Sequence, residues 1–466
     1  MKDRILLIYP PSPVMNREDR CQQPTDDLVV IPPLPPMDLL YMASVARSAD
    51  FEPFVKDYSL NNQTIDDLIK DIKQINPKII VFNAASTTLK NDMAILDPVK
   101  ERFNNIITIA KGAHFSFLAK EAMNEFKNLD IAISGEVEET LFDILSGKNL
   151  SDIKGITYRI NNEIIQNEKR PFIEDLDKIP YPARDLIDNS IYKRPDTNEV
   201  QAVIKVSRGC PYHCFFCLAT PVSGSKVRTR SADNIMGEIK ECYEKYGIKN
   251  FIFWSDLFNF DHQWVKELCN KIIDSGLKIT FSTNTRADSA DIETAKLMKK
   301  AGCSLVSIGI ESGSELLLNK MGKKITKKEI INTVKLFKSL GIKIYGYYVL
   351  GLPWETEETF RETFEFAKKL NTEYVSFYTA TALVGSRFYD FVKENNLGEL
   401  NFDKPYYYPS VNTFQLSKER VFELHKYAIK HYYARAGYIF MMLFKIRSLK
   451  EFMNYFKAGL RVLFRK

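Results

Sequence analysis

No run of about 18 uncharged apolar residues occurs in this 466-residue sequence, so no transmembrane helix is predicted. Its opening, Met1-Lys-Asp-Arg-Ile-Leu-Leu-Ile-Tyr9, lacks the long apolar region and small-residue cleavage site of a secretory signal. Cysteine is scarce as well. Seven are present, three close together and four scattered, which is no disulfide framework and predicts a reducing, cytoplasmic setting. An excess of one charge is missing from most of the chain. Lysine and arginine number 65 against 59 acidic residues, a net +6. Residues 440–466 carry Lys445, Arg447, Lys450, Lys457, Arg461, Arg465 and Lys466 against Glu451 alone, again +6, which leaves the first 439 residues neutral. Without a broad basic face, no nucleic-acid partner is expected. The composition, 45% apolar and 27% charged, is that of a globular protein and argues against disorder. The length calls for roughly two to four domains.

Residues 1–150 alternate short apolar strands, expected at 5–9, 53–58, 78–82, 106–110 and 131–134, with helices at 36–47, 65–75, 93–103 and 117–126. That alternation predicts a doubly wound parallel sheet in an α/β fold. Ligands of such sheets sit beyond the C-terminal strand ends, which singles out the loops 10–13, 83–88, 111–114 and 135–140. Residues 151–199 read as a connector: a hairpin-like piece, then a proline-punctuated stretch from Pro171 to Pro195. Residues 200–395 restart the alternation with six strands and five helices, a partial (β/α)6 barrel. Polar groups gather at its C-terminal strand ends: Ser255, Asp256, Asn284, Arg286 and Glu311. Residues 396–466 form a C-terminal region, with aromatics crowded between Phe402 and Phe414 and helices from about Lys418.

The densest chemistry follows the first barrel strand, in Ser207-Arg-Gly-Cys-Pro-Tyr-His-Cys-Phe-Phe-Cys-Leu218. Cys210, Cys214 and Cys217 stand in a C-x3-C-x2-C spacing. Thiolates are the normal protein ligands of iron–sulfur clusters, and a short loop after a strand can wrap three of them around one cube. Three ligands leave an iron open to substrate, as a closed structural site does not. A Cys3His zinc site using His213 is the alternative that the spacing alone permits. Cys242, Cys269 and Cys303 fall in helix or strand patterns and read as buried apolar residues, and Cys21 as a loop thiol within the polar stretch 16–27.

Motif by motif, the chain resembles the radical S-adenosylmethionine (SAM) enzymes that carry a cobalamin (B12)-binding domain. The resemblance spans roughly residues 1–395 and rests first on the cysteine loop. It continues in Phe281-Ser-Thr-Asn-Thr-Arg-Ala-Asp288, Ser307-Ile-Gly-Ile-Glu-Ser-Gly313 and Gly346-Tyr-Tyr-Val-Leu-Gly-Leu-Pro-Trp-Glu355 at successive strand ends. The N-terminal unit contributes Pro32-Pro-Leu-Pro-Pro36, Ala85-Ser-Thr-Thr88, Gly112-Ala-His114 and Gly135-Glu-Val-Glu-Glu-Thr140. This resemblance implies that Cys210, Cys214 and Cys217 hold a [4Fe–4S] cluster whose open iron chelates SAM. It implies Phe216 beside the adenine, Ser255 and Asp256 at the methionine amino group, Asn284 and Arg286 on the ribose and carboxylate side, and Glu311 facing the ribose. It further implies a cobalamin site that includes Ser86, Thr87, Gly112, His114, Gly135 and Glu136. The chain departs from other cobalamin folds in having no D-x-H-x-x-G motif, so no histidine from such a motif is expected on cobalt. An N-terminal domain that keeps the shape and binds nothing is the alternative.

What the resemblance implies for activity is reductive cleavage of SAM, hydrogen abstraction from an unactivated carbon by the 5′-deoxyadenosyl radical, and delivery there of a methyl group carried on cobalamin. A methyltransferase of a small-molecule or lipid-linked substrate is expected, with a flavodoxin or ferredoxin as reducing partner. Ring formation, oxidation and rearrangement also occur in the family. A tRNA- or protein-modifying enzyme would need a second cysteine triad and an RNA-binding module, and neither is evident. A non-catalytic sensor would not need motifs at successive strand ends. In the tail, Ile446, Leu449, Met453, Phe456, Leu460 and Leu463 recur at helical spacing beside Arg447, Lys450, Lys457 and Arg461. Such a helix either packs on the barrel or a second subunit, or lies in a membrane interface. The second case would give a cytoplasmic protein with peripheral membrane contact through 440–466.

Overall fold

The computed structural model describes residues 2–13, 15–19, 21–24, 33–60, 63–398, 400, 408–446 and 449–464. Strand β1 (Arg4–Tyr9) is followed by a small antiparallel hairpin, β2 (Met15–Glu18) and β3 (Cys21–Pro24). Then come β4 (Glu52–Asp57), β5 (Ile79–Asn83), β6 (Ile107–Lys111), β7 (Ile131–Ile133), β8 (Ile156–Ile160) and β9 (Glu163–Gln166). All but the hairpin join one seven-stranded sheet in the order β4-β1-β5-β6-β7-β8-β9. Its first five strands are parallel. Ile5, Leu6, Leu7 and Ile8 are fully buried, the continuous apolar run that a strand covered on both faces requires. Because β1 pairs with β4 on one side and β5 on the other, strand order reverses there, and ligands of such sheets bind beyond that switch point.

The predicted doubly wound sheet is therefore present, with three differences. The hairpin β8–β9, expected in the connector, pairs antiparallel with β7 and extends the sheet. Ile156 and Tyr158 bury in the same core as Ile131 and Ile133, so the edge of β7 is covered. The second difference is the hairpin β2–β3, which lies in the predicted polar loop. Polar side chains fold it down. Arg17 reaches both oxygens of Asp92 at 2.7 and 2.8 Å and the Asn83 carbonyl at 3.1 Å, and Gln22 Oε1 accepts from the Ser86 N–H at 2.7 Å. Third, the helix expected at 93–103 is split into Leu89–Met93 and Leu96–Arg102. Pro98 fits only the first turn of a helix, so a new helix starts just before it.

The second sheet holds β10 (Gln201–Lys205), with a two-stranded ribbon, β11 (Ser207–Arg208) and β12 (Arg228–Thr229), at its exit. It continues with β13 (Asn250–Trp254), β14 (Thr280–Thr285), β15 (Cys303–Glu311), β16 (Lys343–Leu350) and β17 (Tyr374–Thr379). The six long strands run parallel in the order β10-β13-β14-β15-β16-β17, the predicted partial barrel. Its outer helices start where side chains take orphan N–H groups. Thr326 and Thr356 form capping boxes, and Ser231, Asp261 and Asp291 accept at the other starts. Cys242, Cys269 and Cys303 are buried as expected. The side chain of Cys21 and, of the aromatic run from Phe402 to Phe414, the residues 402–407 lie outside the described residues.

Helices Lys418–Tyr433, Ala436–Lys445 and Leu449–Phe464 complete the chain. The last of these crosses the N-terminal mouth of the barrel. Its Tyr455 hydroxyl meets that of Tyr374 at 2.5 Å, Asn454 donates to the Asp196 carbonyl at 3.0 Å, and Glu451 lies 3.7 Å from Lys343. Among the described residues no helix is long and apolar enough to cross a membrane.

At the opposite end of β16, Gly351 turns with φ +84° and donates its N–H to Glu355. Glu355 is 2% exposed, and its second oxygen has no partner among the described residues. Burial pushes its carboxyl up to about 8 against the opposing Gly351 N–H. A folded-state value raised above the unfolded one means that stability is fully present below the unfolded value and is lost as pH rises toward 8. Glu355→Gln is therefore expected to change little at pH 5 and to stabilise the protein at pH 8.5 by up to about 4 kcal/mol. Thermal unfolding at the two pH values checks this, and equal shifts at both would refute it.

Candidate active site

The cysteine loop is built on one glycine. Gly209 has φ +95°, and a Cβ there would lie 2.0 Å from the Lys226 carbonyl oxygen, so a side chain is refused twice over. Backbone and hydroxyl bonds then fix the thiols. Cys210 N–H donates to Gly224 O at 3.0 Å and Cys217 N–H to Cys214 O at 3.1 Å. Thr220 Oγ1, with one proton to donate, lies 2.8 and 2.6 Å from the carbonyls of Cys210 and Tyr212, and Ala219 N–H reaches Cys217 Sγ at 3.4 Å. All three thiols are half-buried and line one cavity of about 410 Å³. Burial raises the Cys210 thiol, so a thiolate there calls for a cation beside it, which bound iron would supply. Among the described residues no three His, Cys, Asp or Glu side chains are grouped as a single-ion site needs. Tetrahedral zinc needs its ligands around one ion, whereas the thiolates of an iron–sulfur cube sit on separate irons. The triad fits a cluster.

The same cavity receives Phe216, Asp256, Asn284, Arg286 and Glu311 from the strand ends. Asp256 Oδ2 accepts the Gly209 N–H at 2.7 Å, which ties the second strand end to the cysteine loop. Ser255 is fully buried behind them, its hydroxyl donating to Asn284 Oδ1 at 2.6 Å. Asn284 Nδ2 in turn reaches the Asp256 carbonyl at 3.5 Å. Phe216 packs on the group around Phe215, whose ring lies 5.0, 5.3 and 5.5 Å from those of Trp354, Phe388 and Phe391. Arg286 is held in the cavity wall through Nε and Nη2: it forks onto Asp288 at 2.9 Å, donates to the Lys323 carbonyl at 2.8 Å, and lies 3.6 Å over the Tyr212 ring.

Glu311 sits at a bulge between β15 and β16 with φ +63°. It pairs with Lys323 at 2.7 Å, both nearly buried. Gly309 makes the room, since a Cβ there would fall 2.4 Å from Glu311 Oε1. Lys323 is the residue that the motifs do not reveal. It lies in the turn after helix Glu315–Lys320, and its one signal is Gly322, whose φ of +66° ends that helix just before it.

A second, smaller cavity of about 80 Å³ lies between the two sheets. Lys111, Asp38 and Gly135 line it from the first, Lys205, Ser207 and Arg208 from the second, and Asp256 lines both cavities. Lys111 lies 3.2 Å from Asp38 and 3.4 Å from Asp19, and Asp38 also accepts from Tyr9 and Asn83. Burial would raise the Asp38 carboxyl, yet Lys111 and its other partners hold it below the usual range. Gly112, with φ +143°, brings its backbone against Ala84, where a Cβ would lie 2.1 Å from the carbonyl oxygen. Around that contact Ser86 Oγ, Thr87 Oγ1 and His114 Nδ1 are buried with no partner among the described residues. Burial lowers His114 to about 4, so the ring is neutral at pH 7. Gly135 has nothing within 4 Å of a would-be Cβ. Buried polar atoms that lack partners at the strand ends of such a sheet suit a ligand that would supply their hydrogen bonds, as cobalamin would. Glu136 lines the smaller cavity and is held there by charges from the second sheet's side. Glu136 pairs with Arg228 at 2.9 Å and Arg208 at 3.1 Å, and Glu138 pairs with Arg208. Burial alone would raise the Glu138 carboxyl, but Arg208 pulls it down to about 2.

Residues 204–367 match the model of the radical SAM superfamily and residues 29–145 that of the B12 binding domain. The chain is similar to an uncharacterized methyltransferase of Pyrococcus horikoshii, 31% identical over 398 residues that cover 84% of each protein. It is also similar to an anaerobic magnesium-protoporphyrin IX monomethyl ester cyclase of Rubrivivax gelatinosus, at 25% identity over 73% of this chain and 63% of that protein. In fold it resembles OxsB, a cobalamin-dependent SAM radical enzyme solved with aqua-cobalamin and SAM bound. There the TM-score is 0.77 at 16% identity, over 99% of this chain and 71% of that one.

Lys323→Met leaves Glu311 buried beside no cation. It is expected to destabilise the protein by about 3 kcal/mol in denaturant unfolding, with Lys323→Arg costing less. Equal stability of Lys323→Met and the native chain would refute the pairing.

Proposed function

Because the chain belongs to the radical SAM superfamily and carries a B12-binding domain ahead of its barrel, we propose that it methylates an unactivated carbon of a small-molecule or lipid-linked substrate. The observation that carries this reading is the sharing of Asp256 between two cavities, one lined by the three thiols and one by the loops of the first sheet. The two cofactor sites then adjoin. When bound, the cluster supplies the electron that cleaves SAM, and cobalamin supplies a methyl carrier. The chain's own residues position and enclose. Cys210, Cys214 and Cys217 hold the cluster, and Phe216 lies by the adenine. Asp256, anchored by Gly209 and backed by Ser255 and Asn284, takes the methionine amino group, and Glu311, held by Lys323, takes the ribose. Arg286 keeps the wall on the carboxylate side in shape through Tyr212. Ser86, Thr87, Gly112, His114 and Gly135 face the cobalamin, and Glu136 sets the spacing between the two sites. Tyr345, Tyr347 and Tyr378 line the barrel lumen with Phe253 and Trp254, a wall that keeps water from a reactive carbon.

In this reading residues 1–150 form the cobalamin-binding unit, to which the hairpin β8–β9 adds an edge, and 151–199 the connector. Residues 200–395 form the radical SAM domain and 396–466 the C-terminal region. A flavodoxin or ferredoxin serves as reductant, in the cytoplasm, with peripheral membrane contact through 440–466. A second reading, ring closure without methyl delivery, is favoured by the similarity to the cyclase.

Anaerobic purification with added hydroxocobalamin tests the reading. About four irons and one cobalt per chain are expected, with 5′-deoxyadenosine released from SAM on reduction. Cys214→Ala is expected to lose most of the iron and all SAM cleavage while keeping cobalt and the fold. Retention of full iron and cleavage by that variant would overturn the cluster assignment, and iron without cobalt would remove methyl transfer in favour of the second reading.

A further inference from the structure

Helices Ala436–Lys445 and Leu449–Phe464 bond to the barrel through polar side chains on their inner side, with Met442 buried beside Tyr438, and leave large apolar side chains exposed elsewhere. On the inner side Tyr438 donates to the Glu373 carbonyl at 2.8 Å, Lys445 pairs with the Glu373 carboxylate, and Asn454 and Tyr455 bond to the barrel mouth. On the outer side Phe440, Leu443 and Phe444 are 65%, 51% and 74% exposed, and Phe452, Met453 and Phe456 are 38%, 43% and 51% exposed. The rings pair along each helix, Phe440 with Phe444 at 4.6 Å and Phe452 with Phe456 at 6.1 Å. Met453 and Phe456 belong to the stripe seen in the sequence, and they do not pack on the barrel. The side chains of Leu449, Leu460 and Leu463 lie outside the described residues. An exposed apolar face of this kind marks a surface that is covered by something else.

We propose that this face docks on an anionic lipid surface. The charge decides between occupants. The segment 440–466 holds seven basic residues and one acidic one, whereas the rest of the chain is neutral. A second copy seated face to face would oppose two such segments across an apolar contact, which like charges disfavour. An anionic bilayer complements them: aromatic rings enter the headgroup boundary, exposed Lys457 meets the lipid phosphates, and the segment's net positive charge draws it to the surface. The inference deepens the peripheral contact proposed above and does not depend on which reaction the barrel performs.

The test is flotation of the full-length, cofactor-loaded protein with vesicles of phosphatidylcholine alone or with about a quarter phosphatidylglycerol. Binding to the mixed vesicles is expected to exceed that to the neutral ones by about tenfold and to fall at about 0.5 M salt. Phe440→Ser/Phe444→Ser and Phe452→Ser/Phe456→Ser are each expected to abolish it, and Lys457→Glu to weaken it on the anionic vesicles alone. SAM cleavage in lipid-free buffer, unchanged in these variants, separates the two proposals: cleavage without flotation overturns docking and leaves the enzyme standing, and flotation without cleavage does the reverse. Equal binding to both vesicle types overturns the proposal. So does a native dimer, seen by sedimentation, that Phe440→Ser/Phe444→Ser dissociates.

Discussion

The arrangement of this protein depends on a buried ionic clamp. Arg208 and Arg228, on the ribbon beside the cysteine loop, grip Glu136 and Glu138 at the end of β7. Each of the four side chains is at most 15% exposed. Pairs of this kind add little net stability, because dehydrating the charges costs nearly what their attraction returns. Their effect is geometric. A guanidinium fork accepts a carboxylate in few orientations, so the two sheets meet with their C-terminal ends facing one gap. Lys205 to Glu18 at 2.7 Å adds a third strut between the same units. Once the sheets are locked in that way, Asp256 has no choice but to lie between both cavities.

Charge within the site is otherwise balanced in place. Lys111 has Asp38 and Asp19, Lys323 has Glu311, and Arg286 has Asp288. Ligands arriving there meet oriented dipoles and aromatic walls more than bare charge. Such preorganised groups do not have to rearrange as a reaction proceeds, which is where enzymes gain most from electrostatics.

The strands were legible because each is an apolar run between turn signals. Six barrel strands and five sheet strands fall close to where hydropathy put them, and the cysteine triad announced itself by spacing. What escaped the pattern was polar. The hairpin β2–β3 is folded by Arg17 and Gln22, whose burial depends on Asp92 and Ser86, dozens of positions away. Lys323 has only Gly322 to mark it in the sequence, and its part in the site emerges with the Glu311 carboxylate it meets. Glu136 was expected to face cobalamin because of its motif; it lines the gap between the sheets, and its charge partners, Arg208 and Arg228, come from the second sheet's side. Local sequence gives the backbone path. It does not say which distant charge will answer a buried one.

The floor of the barrel carries a further consequence, in the order of assembly. Asn454 closes on Asp196 across 258 positions of chain. At ordinary rates of translation, roughly 5–20 residues per second, that span takes some tens of seconds to emerge. The N-terminal sheet, the clamp and the cysteine loop are all available long before the helix that seals the lower mouth. Once Thr379 has completed the last strand, the lumen of the nascent barrel stays open from below until that helix arrives.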